Sequence, residues 1–103
     1  MSGAVFRLQH VDDALTVSGE IDVTNADAFA HSVTELSDER PVILELSRLD
    51  YLDSAGFAAV DGLLARGAIL VVSPESLIHK AAELMELPFH HDVETARRVA
   101  AGA

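Results

Sequence analysis

The chain has 103 residues, half of them apolar, and seventeen acidic against seven basic side chains give a net charge of −10. That length suits one domain with one core, spanning 1–103. The acidity argues against nucleic acid or an anionic membrane surface as partner, because both are held by basic patches, and the lack of cysteine removes disulfides and thiol chemistry.

In chain order, Ala4 to Gln9 alternates loosely and predicts a first strand, Asp12-Asp13 a turn, and Ala14 to Ile21 a returning strand, so the two form a hairpin. Thr24 with Asp27 resembles a helix start, and Ala26, Phe29, Ala30, Val33 and Leu36 keep helical spacing through to about Ser37. After Pro41, Val42 to Ser47 reads as a central strand. A helical stripe of Phe57, Val60, Leu63 and Leu64 follows, closed by Gly67. Ala68 to Ser73 is a continuous apolar run, as suits a strand buried on both faces. Ser73-Pro74-Glu75 predicts another helix start, with Leu77, Ile78, Ala81, Leu84 and Met85 on one side and a break near Pro88. Phe89 to His91 allows a short strand, and Asp92 a cap for a last helix carrying Val93, Ala96, Val99 and Ala100.

Strands alternating with helices predict an α/β fold with parallel pairs and right-handed crossovers. The amino terminus lacks the basic-then-apolar build of a signal peptide, and no apolar run approaches the roughly 20 residues that cross a bilayer. The cytoplasm is the expected location.

The stretch "LDYLDSAG", residues 49–56, places two acids, a lone hydroxyl and a glycine between a strand and a helix. Asp53 or Ser54 can cap that helix, because their oxygens accept from free first-turn amides. Gly56 suits close packing. A hydrolase nucleophile elbow requires glycine two residues before the serine, where this chain has Leu52. Five histidines leave Ser-His-Asp catalysis open by count alone, although nothing in the sequence brings one to Ser54. His90-His91-Asp92 lacks a paired ligand spacing, because neighbours on a strand point to opposite faces. No phosphate-binding G-x-x-x-x-G-K-[ST] loop is present. Neither metal nor cofactor is expected.

Asp53-Ser54-Ala55-Gly56 between strand and helix resembles the STAS family, the sulfate-transporter and anti-sigma-factor-antagonist domain. Gly19-Glu20-Ile21-Asp22 is similar to that family's G-E-[LI]-D at the end of its second strand, and "VVSPESLIHKAAELMELPF" to its last strand, Ser-Pro turn and helix. The resemblance implies a STAS fold: a central mixed sheet, made of the N-terminal hairpin plus parallel strands, with helices packed against it. It implies a stand-alone bacterial anti-sigma factor antagonist, a regulatory protein and not an enzyme, monomeric when free. Such a protein binds an anti-sigma factor that is itself a serine kinase, and so frees a sigma factor. By position, Ser54 is the serine that the kinase phosphorylates, Asp22 the acid near it, and Asp22, Asp53, Ser54, Ala55, Gly56 and Phe57 the partner-binding set. Ala55 stands where many members carry a second Ser or Thr, and the helix after it looks about one turn shorter. The alternative within the family is a module that binds a nucleotide or lipid, or serves a transport complex.

Overall fold

The structure is a computed structural model describing residues 3–37 and 41–102. Its elements are β1 (Phe6–Val11), β2 (Ala14–Ile21), α1 (Ala26–Leu36), β3 (Ile43–Leu52), α2 (Ser54–Ala65), β4 (Ile69–Val71), α3 (His79–Leu84) and α4 (Val93–Gly102). The strands form one mixed sheet in the order β1-β2-β3-β4; β1 is antiparallel to β2, and the other pairs are parallel. This is the α/β arrangement expected from the alternation of elements, with the hairpin turned through Asp12, which takes φ +56°.

Strand alternation divides the apolar residues between two faces. Leu15, Val17, Leu44, Leu46 and Leu70 face Phe29 and Val33 of α1, Phe57, Val60 and Leu63 of α2, and Ile78 and Ala82 around α3. On the other face Ala14, Ile43 and Val71 meet Ala96, with Val93 packed alongside. Three helices therefore cover one face, and α4 covers part of the other. Burying a side chain such as Phe29 or Leu44 contributes roughly 1.5–3 kcal/mol.

β3 runs five residues beyond the predicted Ser47, and its register explains why. From the Thr16–Glu45 pair to Ser18–Arg48, two steps of β2 face three of β3; from Gly19–Leu49 to Glu20–Tyr51, one step faces two. Each irregularity inserts a residue into β3, as a β-bulge does. Leu46, Leu49 and Leu52 consequently reach the same core at a spacing of three. A period-two pattern breaks there, although the strand does not.

α2 ends as its glycine predicts. Gly67 takes φ +103°, its amide donates to Leu64 O at 2.9 Å, and that of Ala68 donates to Leu63 O at 3.1 Å, the paired bonds of a Schellman motif. The next helix departs from expectation. Ser73 Oγ bonds Glu75 and the Ser76 amide donates to Ser73 O at 2.9 Å, so the Ser-Pro segment forms its own turn and α3 starts only at His79. The phase shifts: Ile78 and Ala82 enter the core, while Leu77 and Leu84 are each 74% exposed. Asp92 Oδ1 accepts from the Thr95 amide at 2.7 Å at the start of α4, the expected cap. The strand expected at Phe89–His91 is a single bridge, Val71 to His90.

Candidate functional site

The two sequence motifs meet at one end of the sheet. Ile21 and Leu52 are register partners at the ends of parallel β2 and β3. The Asp53 amide then donates to Ile21 O at 3.2 Å, so Asp22 and Asp53 leave the sheet side by side.

On the β2 side, Gly19 has φ +96°, and a Cβ there would lie 2.2 Å from the Val5 carbonyl oxygen. Only glycine permits that approach, beside which the Glu20 amide donates to Val5 O at 2.8 Å. Asn25 then locks the turn. Its Oδ1 accepts from the Asp22 amide at 2.9 Å, and its Nδ2 donates to Ala4 O and Glu20 O, each at 3.0 Å. The half-buried Asp22 carboxylate accepts from the Thr24 hydroxyl and, at 2.8 Å, from the Thr24 amide. The Thr24 hydroxyl is the main cause holding the Asp22 pKa below the ordinary carboxylate range, followed by the Thr24 amide. Thr24 thus serves the acid, and α1 begins two residues later.

On the β3 side, Asp53 is the N-cap of α2, its Oδ1 accepting from the Gly56 amide at 3.0 Å. Ser54 is the first helical residue. Its side chain is exposed, and its hydroxyl has no hydrogen-bond partner among the described residues. Capping therefore falls to Asp53 and leaves Ser54 free. First-turn amides have no partner within a helix, so an anion on Ser54 would meet free N–H groups and the positive end of the helix dipole.

The six expected site residues are brought together at unequal depth. Ser54 is exposed, and Asp22, Asp53 and Ala55 are partly so. Gly56 and Phe57 are buried. A Cβ at Gly56 would stand 2.3 Å from Leu52 Cδ1 and 3.2 Å from Ile21 Cγ2, and Phe57, 5% exposed, belongs to the core. These two seat α2 on the strand ends and lie beneath the surface that Ser54 presents. Sequence reasoning missed Asn25, although an asparagine one residue before a helical stripe is a recognisable cap type. It also missed Val23, an apolar side chain 75% exposed in the turn after Asp22.

No hydrogen bond, ion pair or ring contact links a histidine to Ser54 among the described residues. His79 and His91 instead pack with Phe89, His31 pairs with Glu35, and the His90 backbone bridges β4. The described residues contain no group of three or more His, Cys, Asp or Glu placed to hold a metal. No helix among them is long and apolar enough to cross a membrane.

The STAS domain family model matches residues 6–97. Solved structures share the fold over nearly the whole chain, two of them as follows. An anti-sigma factor antagonist from Mycobacterium paratuberculosis superposes with a TM-score of 0.69 at 19% identity, covering 96% of this chain and 95% of that one. The anti-sigma factor antagonist SpoIIAA in its unphosphorylated form gives 0.57 at 20% identity, covering 92% and 97%. No curated protein sequence matches significantly.

Proposed function

Because the chain belongs to the STAS domain family, we propose that it is an anti-sigma factor antagonist whose partner, an anti-sigma factor with serine kinase activity, phosphorylates Ser54. The observation that carries this reading is the exposed, unpartnered Ser54 hydroxyl at the start of α2, beside the Asp22 and Asp53 strand ends. Two of the solved structures that share this fold are of anti-sigma factor antagonists, which supports the same role.

In this reading the unmodified protein binds the anti-sigma factor through Asp22, Asp53, Ser54 and Ala55, with Gly56 and Phe57 holding that surface from below, and a sigma factor is freed. A phosphate on Ser54 adds about −1.5 to −2 charges. The α2 amides tolerate it locally, while the acids beside it and the partner surface do not. The switch changes solvation and charge at the binding face and leaves the fold in place.

The test is incubation of the full chain with purified candidate anti-sigma kinases and ATP, followed by mass mapping. Phosphate on Ser54, with loss of binding to the same kinase, is the expected result. Phosphate at another residue, or binding unchanged by the modification, overturns the proposal.

A further inference from the structure

We propose that β1 is a pairing edge, and that its occupant is β1 of a second copy of this chain, joined antiparallel into a continuous eight-stranded sheet. Among the described residues, strand order leaves β1 with a neighbour on one side only. The opposite edge is engaged at Val71 by His90, whose amide donates to Leu70 O at 2.9 Å and whose carbonyl accepts from the Val72 amide at 2.8 Å.

The hydrogen-bond parity of the hairpin identifies the free groups. Glu20 N donates to Val5 O, and bonded pairs alternate along an antiparallel ladder, so Arg7–Ser18, Gln9–Thr16 and Val11–Ala14 are the bonded pairs. The amides and carbonyls of Phe6, Leu8 and His10 therefore point away from β2, and none has a partner among the described residues. Edges of this kind are usually blunted by proline, a bulge or an inward charge. The strand "FRLQHV" has none of these; its one permanent charge is the exposed Arg7, and it has no acid although the chain carries seventeen.

One register satisfies all the outward groups: Leu8 opposite its own copy, with Phe6 opposite the partner's His10 on either side. Arg7 then faces the partner's Gln9, so no like charges are opposed on the strands, and half-buried Phe6 and Leu8 extend the α1-side core across the seam. With one open edge among the described residues of each chain, pairing closes as a two-fold dimer and does not propagate. The two copies of β3 would run in opposite directions, leaving the two Ser54 residues at opposite ends of the sheet. This departs from the monomeric free state implied by the family resemblance, and it does not depend on Ser54 being modified.

The charge of −10 on each copy opposes encounter, so association should strengthen with salt. Sedimentation equilibrium of the full chain from about 10 µM to about 1 mM, in about 0.05 and 0.5 M NaCl, reads this directly. The mass should rise from 11.0 kDa toward twice that value, more readily at high salt. His10→Pro removes an outward N–H from an exposed edge position and no ladder bond of the hairpin, so it should weaken association at least tenfold while circular dichroism stays native. Amide exchange gives a second readout without substitution: Leu8 and His10 should gain protection with concentration, while Arg7 and Gln9 are protected throughout. A mass of 11.0 kDa at every condition overturns the proposal. So does a dimer that His10→Pro leaves intact, or one without added protection at Leu8 and His10.

Discussion

The Asp53 amide donates to the Ile21 carbonyl, one step past the last β2–β3 register pair, so the residue that caps α2 is itself tied to the end of β2. Ser54 follows directly and inherits its position from both. Substitutions at Asp53 therefore act on the helix start first. Asp53→Ala should cost about 1 kcal/mol, as lost N-caps do, measured by urea denaturation. Asp53→Asn, which keeps an acceptor, should cost much less. An Ala variant as stable as the parent would show that the Gly56 amide finds another acceptor.

Two glycines in α2 should respond in opposite directions to the same change. Gly56→Ala drives a methyl against Leu52 and Ile21 and should destabilise by roughly 1–3 kcal/mol. Gly62 is exposed in mid-helix, and a methyl added there would meet no atom within 4 Å, so Gly62→Ala should stabilise by about 0.5–1 kcal/mol. Chevron or equilibrium unfolding of both variants decides this.

Ser54→Ala and Ser54→Asp should each lie within about 0.5 kcal/mol of the parent in stability, because the hydroxyl has no partner among the described residues. Under the proposed function their binding should diverge. Calorimetric titration with the anti-sigma partner should find Ser54→Ala binding and insensitive to ATP, and Ser54→Asp weakened. Equal affinity of Ser54→Asp and the parent would contradict the switch.

Asp22 should titrate below the ordinary aspartate range, with the Thr24 hydroxyl as the main cause. A carboxylate with a depressed folded pKa contributes stability that is present above the unfolded value of about 3.9 and lost as pH falls through the lower folded value. Carboxyl NMR should show Thr24→Val moving the Asp22 pKa upward. The same substitution should flatten that part of the acid-side loss of stability. No movement on Thr24→Val would assign the shift to backbone amides.

The hairpin was legible from its Asp12-Asp13 turn and from Ala14–Ile21, which matches the observed β2, whereas β1 lies at Phe6–Val11, two residues later than the loose alternation of Ala4 to Gln9 suggests. α1 and α2 were legible from Phe29–Val33 and Phe57–Val60–Leu63, whose spacing survives into the core. The length of β3 was not legible, because an inserted residue looks like the end of a strand. α3 was misphased because Ser73 and Pro74 match a helix start, whereas the Ser73 hydroxyl spends itself on a separate turn. At the site, Ser54 and its two acids were readable as a motif. The depth of Gly56 and Phe57 was not, since it depends on how α2 lies across Leu52 and Ile21.

The bulge around Asp50 also means that β3 carries surplus length just before the cap. Leu49, Tyr51 and Leu52 face Gly19, Glu20 and Ile21 in unbroken order once Asp50 is set aside. A chain lacking Asp50 would pair there as an ordinary strand, inward at Leu49 and Leu52 and outward at Tyr51, with Asp53 still delivered to Ile21. Loss of a residue from a central strand ordinarily inverts everything downstream; here it would be absorbed, and the serine would keep its place.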